Sequence, residues 1–349
     1  MGQLTKDKEP LFSYNKLMNV FASSPQNVGF IDDLKCNLIP VMNSACELKQ
    51  FIEEHADYLI VPFLLYKENI YDALLSTSSM HMNWLWSNLL YVPVNIKNND
   101  QDELLRVYET AASFGNVVFL NHTIPHKSNP VMRGLFGDVR GDYLARSGET
   151  FHIADGNGKA FVQMARELAG GELDFAEVAV VIVGVGGAGE LSARAIIREQ
   201  PKRLILVDIK DKSILGKELG AEYYLGIDNI PDLSGEPLVI IDSTAHFEDG
   251  VQRCVALELV EKYDAIDNVF IDYNMNTEIG AYRHLKSRTG VGKEYVVITN
   301  YVMVLEIINA AKSVGFELPF ITKDVFAHKV AESVRMQTVI KNLLKNISV

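Results

Sequence analysis

The sequence predicts an α/β protein that is built from two lobes. Its 349 residues exceed the length of a typical single domain, and 48% of them are hydrophobic, which is enough for a sizeable core. In two separate parts of the chain, short apolar runs typical of strands alternate with stretches of helical periodicity. This alternation favours sheets of parallel strands that are covered by helices.

The alternation is clearest in the second half of the chain. Strand-like runs lie at 179–184, 204–208, 237–241 and 268–272. Between them we expect three helices, of which the first ends near residue 198, the second ends near residue 220 and the third covers 248–263. Successive strands separated by helices predict a doubly wound parallel sheet.

The first half repeats the pattern in a second α/β lobe. Here we expect a helix at 44–55, a strand at 58–65, a strand at 89–94, a helix at 101–114 and a strand at 116–121. After residue 300 the apolar residues have helical spacing, so C-terminal helices should return to the first lobe. The predicted organisation is an N-terminal extension at 1–70, a first lobe at 71–155 completed by 303–349, and a doubly wound domain at 156–302.

Composition narrows the classes of partner. The net charge is −12 and basic runs are missing from the sequence, so nucleic acid is not an expected partner. The first ten residues are polar, so a signal peptide is not expected, and no apolar run approaches the length of a membrane span. Cys36, Cys46 and Cys254 lack the spacing of metal ligands, which predicts no metal site and reduced thiols in the cytoplasm. A small-molecule substrate is expected, and a homodimer is left open.

A glycine pattern follows the strand-like run at 179–184 and opens the next helix. Gly184 suits a tight turn, Gly186 lets the backbone approach a pyrophosphate, and Gly189 permits close helix packing. The loop as a whole, predicted to bind a dinucleotide, comprises Gly184, Gly186, Gly187, Ala188 and Gly189. Such a pattern alone also fits a glycine-rich structural turn.

An aspartate at the end of the next strand favours the dinucleotide interpretation. Asp208 lies where a carboxylate accepts hydrogen bonds from the ribose hydroxyls and repels a 2′-phosphate. NAD is therefore the expected cofactor, while Lys210 and Lys212 leave NADP open.

The heptapeptide Asn121-His122-Thr123-Ile124-Pro125-His126-Lys127 follows a strand-like run in the first lobe. Pro125 lacks an N–H and cannot continue a central ladder, so the strand should end there and present Thr123 and Lys127. Beside a hydride-transfer cofactor, a lysine at a strand end is a candidate proton donor.

These motifs together resemble the shikimate/quinate dehydrogenase family, from about Ser76 onward. The family's Asn-x-Thr-x-Pro-x-Lys motif is matched by the heptapeptide at every fixed position. Its Ser-x-Ser-Pro-x-x-His-Asn motif is similar to 76–83, its Asn-Thr-Asp-Gly-x-Gly motif to 153–158, and its Asn-Ala-Thr motif to 242–244. Its Asp-x-x-Tyr motif is matched imperfectly at 272–277.

The resemblance implies NAD-linked chemistry on a secondary hydroxyl of a carboxylate-bearing cyclic polyol. Lys127 and Asp155 would be catalytic, moving and orienting the hydroxyl proton. Ser76 and Ser78 would hold the carboxylate, Thr123 and Tyr273 would line the pocket, and Ser243 and Thr244 would contact the cofactor. Taken singly, a lysine is usually a solvated charge, an aspartate before glycine an N-cap, and a serine cluster a helix start.

The sequence departs from the family pattern at positions that would contact the substrate. Arg140 stands where the family has an asparagine, and it either binds a further anion or pairs with Asp138. The family's C-terminal glutamine falls on Ile307 or, with a shift, on Asn309. Two alternatives therefore stay open: a related dehydrogenase of an amino or folate-like substrate, and a non-catalytic NAD-binding regulatory protein.

Overall fold

The computed structural model describes residues 19, 39–68, 82–83, 85–123, 126, 131, 134–135, 141–244, 247–248, 251–273, 285–290 and 292–347. The chain forms two compact units. The first comprises residues 1–154 and 303–349, and the second comprises residues 155–302.

The first unit is an α/β unit around a mixed sheet of five strands with the order β2-β1-β3-β4-β5. Strands β1, β2 and β3 are parallel, whereas β4 and β5 are antiparallel to their neighbours. Its elements up to residue 154 are α1 Ala45–Glu54, β1 Leu59–Leu65, β2 Leu89–Asn95, α2 Gln101–Ser113, β3 Phe119–His122, β4 Tyr143–Ser147 and β5 Thr150–Ala154.

Most of these elements agree with the sequence analysis. The predicted helices at 44–55 and 101–114 and the strands at 58–65 and 89–94 are confirmed to within one residue, whereas β4 and β5 were not predicted. The boundary at residue 70 needs correction. Strand β1 pairs with both β2 and β3, so from residue 59 the chain is part of the sheet and not an extension to it.

Side-chain hydrogen bonds cap helices α1 and α2 and join their first turns. Ser44 Oγ accepts the Glu47 N–H at 3.1 Å at the start of α1, and Asp100 caps α2 in the same way. Glu103 in the first turn of α2 accepts the Ala45 N–H at 2.5 Å, which joins the two helix starts. This hydrogen bond, assisted by Arg106, holds the pKa of the Glu103 carboxyl below its usual value.

The interior strand β1 contains a proline, which has no N–H to give to a ladder. Ile60 is the register partner of Val117, but Phe63 is the partner of Asn121, so β3 has one residue more than β1 between these pairs. Residues 118–120 thus face residues 61 and 62, as in a β-bulge, and the Val118 carbonyl accepts the Arg146 N–H at 2.9 Å instead of a donor from β1.

The second unit is built on a parallel six-stranded sheet with the order β13-β12-β9-β6-β7-β8. Its elements are α3 Gly156–Leu168, β6 Ala179–Val183, α4 Gly187–Ile196, β7 Arg203–Asp208, α5 Ser213–Leu219, β8 Glu222–Leu225, β9 Leu238–Asp242, β10 Phe247–Glu248, β11 Val251–Gln252, α6 Leu257–Lys262, β12 Val269–Asp272, β13 Arg288–Gly290 and α7 Gly292–Ser313.

This strand order is that of a doubly wound dinucleotide-binding sheet, and it confirms the predicted fold class. Strands β6 and β9 are buried along their whole length, which explains why they read as unbroken apolar runs. The helix predicted at 248–263 was wrong at its start, because β10 and β11 form an antiparallel pair before α6 begins. Strands β8 and β13 were not predicted.

Two C-terminal helices complete the first unit. Helix α7 belongs to the second unit up to Val302 and to the first from Met303, and α8 Lys323–Ile347 lies in the first unit. The predicted return of the C-terminal helices to the first lobe is therefore confirmed. Within the described part of the chain, none of the helices is both long and apolar enough to cross a membrane.

A buried arginine joins several segments of the first unit. Arg146 on β4 is only 4% exposed, and its guanidinium donates to the carbonyls of Val117 (2.6 Å), Ala111 (3.2 Å) and Phe114 (3.0 Å). It also lies 4.4 Å from the centroid of the Phe151 ring. The positive charge therefore faces the negative end of the α2 dipole and satisfies carbonyls that the helix cannot pair.

We expect Arg146→Met to destabilise the protein by about 3 kcal/mol, because it removes several charge-assisted hydrogen bonds and leaves buried carbonyls without donors. Urea denaturation measures the change. Arg106→Met is the matched control, since Arg106 is exposed on α2 and should matter little. Equal effects of the two substitutions would contradict the assignment of Arg146 as the stabilising residue.

Candidate functional site

The residues predicted to bind a dinucleotide meet at the carboxyl ends of three neighbouring strands, β7, β6 and β9. Strand β6 is central, with β7 on one side and β9 on the other, so the chain order reverses between β6 and β9. Ligands of open α/β sheets bind at such a switch point.

Gly184 makes the turn that leaves β6. Its φ is +85°, and its N–H donates to the Val207 carbonyl at 2.8 Å. A Cβ atom at this position would lie 2.7 Å from Thr244 Cγ2 and 2.9 Å from the Thr244 backbone nitrogen. Both the backbone conformation and the space therefore require glycine.

Gly189 lets helix α4 approach this turn. A Cβ atom at Gly189 would overlap the Gly184 carbonyl oxygen and lie 2.5 Å from Ser243 Oγ. The Ser243 hydroxyl bridges the carbonyls of Val183, at 3.2 Å, and Gly184. Ser243, predicted to contact the cofactor, is thus also the residue that joins β9 to the glycine loop.

The middle of the loop is open. No described atom lies within 4 Å of a Cβ built at Gly186 or Gly187, and both residues are exposed. Among the described side chains, none caps the start of α4 at Gly186. The first N–H groups of the helix and its positive dipole end therefore face open space, which fits the pyrophosphate of a dinucleotide. Ala188 lies in the same turn.

Asp208 ends β7 and is tied to the same loop. One carboxylate oxygen accepts the Val185 N–H at 2.7 Å, and the other accepts the Lys210 N–H at 2.9 Å. Since an ionised carboxylate has about four acceptor positions, two remain for further donors such as ribose hydroxyls. The next residue, Ile209, is 85% exposed.

Asp242 holds the third strand end. It is fully buried, and its carboxylate accepts the Thr244 N–H (2.9 Å), the Thr244 hydroxyl (2.6 Å) and the Ala256 N–H (2.9 Å). An asparagine at this position would place its amide NH₂ group against one of these three donors. The aspartate in place of the family asparagine is therefore matched to three donors in this loop.

Tyr273 follows β12 and contacts α4. Its hydroxyl lies 2.7 Å from Ser192 Oγ, and Ser192 Oγ donates to the Ala188 carbonyl at 3.0 Å. The two hydroxyls form a hydrogen bond in which either oxygen can be the donor. The sequence analysis missed Ser192, although a serine among apolar residues on the buried side of α4 was a signal.

Asp155 is the N-cap of α3. Its carboxylate accepts the Gly158 N–H at 2.8 Å, as the helix-cap alternative predicts. A Cβ at Gly158 would lie 2.6 Å from Ala195 Cβ on α4, so this glycine permits close packing of α3 on α4. The catalytic role of Asp155 stays a prediction.

The substrate-side residues are only partly described. Thr123 follows β3, where its N–H and hydroxyl both donate to the Leu64 carbonyl, at 3.0 Å and 3.1 Å. The other residues predicted for this side lie outside the described residues: Lys127, Ser76, Ser78 and Arg140. Within the residues that are described, no group of three His, Cys, Asp or Glu side chains could hold a metal ion.

The chain is similar in structure to several solved oxidoreductases. A shikimate dehydrogenase from Aquifex aeolicus is 15% identical, with a TM-score of 0.56 over 79% of this chain and 98% of that chain. A shikimate 5-dehydrogenase from Listeria monocytogenes, in complex with shikimate and NAD, is 13% identical, with a TM-score of 0.56 over 78% of this chain and 96% of that chain.

The fold is that of the shikimate dehydrogenases. A 5-ketofructose reductase of Gluconobacter sp. strain CHM43 shares it, with 14% identity and a TM-score of 0.56 over 79% of this chain and 98% of that chain. No model of a protein family matches the sequence, and no curated protein is significantly similar to it.

Two alanine substitutions separate the packing role of the loop from its binding role. Gly187→Ala meets open space, so we expect an unchanged melting temperature but weaker NADH binding, because a methyl group would hinder the approach of a phosphate. Gly189→Ala should weaken NADH binding and also lower the melting temperature. Thermal denaturation and NADH fluorescence titration measure both effects, and unchanged NADH affinity in Gly187→Ala would argue against a pyrophosphate at this loop.

Proposed function

We propose that this protein is an NAD-dependent dehydrogenase that oxidises or reduces a secondary hydroxyl on a carboxylate-bearing cyclic polyol, such as shikimate, quinate or an analogue. The observation that carries the proposal is the glycine loop at the switch point of the sheet. There Gly184 and Gly189 pack against Ser243 and Thr244, and the start of α4 faces open space. The resemblance of the lysine heptapeptide to the family motif supports the polyol chemistry.

The end of β7 favours NAD over NADP. The Asp208 carboxylate lies beside the loop, where a ribose would place its hydroxyls and a 2′-phosphate would meet a like charge. Ile209 and Ile214, 85% and 83% exposed, offer apolar surface after this strand that suits an adenine ring. Lys210 and Lys212 keep NADP as the less favoured cofactor.

In the proposed reaction, the bound cofactor would supply a hydride as NADH or accept one as NAD⁺. Lys127 donates a proton to the carbonyl oxygen in the reducing direction and takes it from the hydroxyl in the other. Asp155 accepts a hydrogen bond from the same hydroxyl and orients it. Because one Asp155 oxygen already accepts the Gly158 N–H, the carboxylate has a fixed position at the start of α3.

On the substrate side, the hydroxyls of Ser76 and Ser78 bind the carboxylate. Thr123 and Tyr273 are further residues that we assign to substrate binding. The hydrogen bond between the Tyr273 and Ser192 hydroxyls fixes the position of the Tyr273 side chain. Arg140 binds a second anionic group if it does not pair with Asp138.

A second candidate is a reductase of the same fold that acts on a different carbonyl compound, including an amino or folate-like one. Ile307, at the position of the family glutamine, is fully buried and apolar, and Asn309 is exposed. The family's amide contact therefore has no counterpart at Ile307. The 5-ketofructose reductase, similar to this chain to the same degree as the shikimate dehydrogenases, favours this candidate.

We expect Asp208→Asn to lower the preference for NAD over NADP about tenfold or more, since it removes the charge that repels a 2′-phosphate. Dissociation constants for NADH and NADPH, measured by fluorescence titration, give the ratio. Ser213→Ala, at the first residue of α5, serves as the control and should leave the ratio unchanged. An unaltered ratio in Asp208→Asn would place the ribose elsewhere.

Lys127→Met should reduce turnover by about a hundredfold or more and leave NADH affinity unchanged, because the lysine moves a proton but does not hold the cofactor. The measurement is NADH absorbance with a panel of shikimate, quinate, dehydroshikimate, 5-ketofructose and amino analogues. Turnover of only the neutral ketose would support the second candidate. NADH binding without turnover of any compound would support a non-catalytic, NAD-binding regulatory protein.

A further inference from the structure

The sheet of the first unit contains a polar cluster around one tyrosine. Tyr91 on β2 is fully buried, and its ring stacks on Phe63 of the neighbouring β1 with 5.2 Å between centroids. Apart from Asn95 at its last position, β2 is otherwise aliphatic or proline. A fully buried phenol needs a hydrogen-bond partner to offset its desolvation. The hydrogen-bond partners of Tyr91 therefore show which segments of the chain it joins.

The backbone of Tyr91 is held by Asn83. The Asn83 amide donates to the Tyr91 carbonyl at 3.0 Å and its oxygen accepts the Tyr91 N–H at 2.7 Å, and Asn83 is 5% exposed. Asn83 is the last residue of the motif that begins with Ser76 and Ser78. The end of this motif is thus fixed to β2 by a two-point contact.

The hydroxyl of Tyr91 is held by Asn121. The Asn121 amide donates to it from β3, across the intervening β1, and Asn121 is 5% exposed. This hydrogen bond opposes the effect of burial, which raises the pKa of the Tyr91 phenol. Asn121 is the first residue of the heptapeptide that ends in Lys127.

The third contact leads to α7. The Tyr91 hydroxyl donates to Met303 Sδ at 3.9 Å, and Met303 is fully buried. Met303 lies on α7 four residues before Ile307, the position on which the family's C-terminal glutamine falls. The donors and acceptors therefore form one chain: Asn121 donates to Tyr91, and Tyr91 donates to Met303.

We propose that Tyr91 is a positioning residue that holds in register the three segments bearing the substrate-side residues: the Ser76 motif through Asn83, the Lys127 heptapeptide through Asn121, and α7 through Met303. The inference rests on the proposed function for its catalytic consequence. The contacts themselves join segments that are far apart in the sequence, and two of them, through Asn83 and Asn121, are made by residues at fixed positions of their motifs.

Tyr91→Phe tests this inference, because it keeps the ring on Phe63 and removes only the hydroxyl. We expect kcat to fall about tenfold or more, as a misplaced catalytic group does, with NADH affinity unchanged. The readout that needs no turnover is competitive acylation with trace acetic anhydride, followed by mass spectrometry. The reactivity of Lys127 relative to exposed Lys159 should change about threefold or more, because acylation of an amine depends on its surroundings and accessibility.

Two further variants separate positioning from stability. Tyr263→Phe removes a buried hydroxyl that bonds Asp232 and Leu233 in the second unit, so it should lower stability but leave Lys127 reactivity unchanged. The double variant Y91F/N121L removes both polar partners, and its stability should return towards that of the wild type. We expect its Lys127 reactivity to stay altered. If Tyr91→Phe does not fold, N121L alone gives the same readout.

Lys127 reactivity that is unchanged in the folded Tyr91 or Asn121 variants overturns the inference, as does full recovery of that reactivity in Y91F/N121L. A wild type that binds NADH but turns over none of the panel overturns the proposed dehydrogenase instead. In that case altered Lys127 reactivity in Tyr91→Phe still supports the positioning role of Tyr91.

Discussion

The second unit depends on two positions where a side chain cannot fit. Without a Cβ at Gly184 and Gly189, the turn after β6, the start of α4 and the Ser243–Thr244 segment after β9 pack in direct contact. Ser243 and Asp242 then fix the end of β9, and Asp208 joins the end of β7 to the same turn through Val185. Three strand ends become one surface, and the open N–H groups of α4 lie at its centre.

The first unit meets a different constraint, because it buries polar groups inside a largely aliphatic sheet. Two of these groups, Arg146 and Tyr91, have several partners that compensate for their loss of water. Arg146 donates to carbonyls at the end of α2, and Tyr91 lies between two asparagine amides and a thioether. Such hydrogen bonds specify the register of the strands more sharply than apolar packing does. If one strand were shifted by one residue relative to its neighbour, these donors and acceptors would be unpaired.

The predictable part of the site was the part encoded within a few neighbouring residues. The glycine loop, Asp208 and the helix cap at Asp155 each arise from short segments with strong local rules. Strands β5, β8 and β13 lie at sheet edges, and β4 contains Arg146, so all four lacked the apolar runs that marked β6 and β9. The hairpin of β10 and β11 was read as helix because two-residue strands have no periodicity of their own.

By itself, the sequence determined the α/β class, the position of the glycine loop and the lysine heptapeptide, because backbone sterics and hydrophobic periodicity act locally. Only the tertiary structure decided which distant residues meet. Ser192 contacts the Tyr273 hydroxyl, Asp242 holds Thr244, and Tyr91 joins Asn83 to Asn121. These pairings depend on strand order and register. Most of the paired residues are far apart in the sequence and become neighbours only when the sheet forms, so local sequence patterns do not predict them.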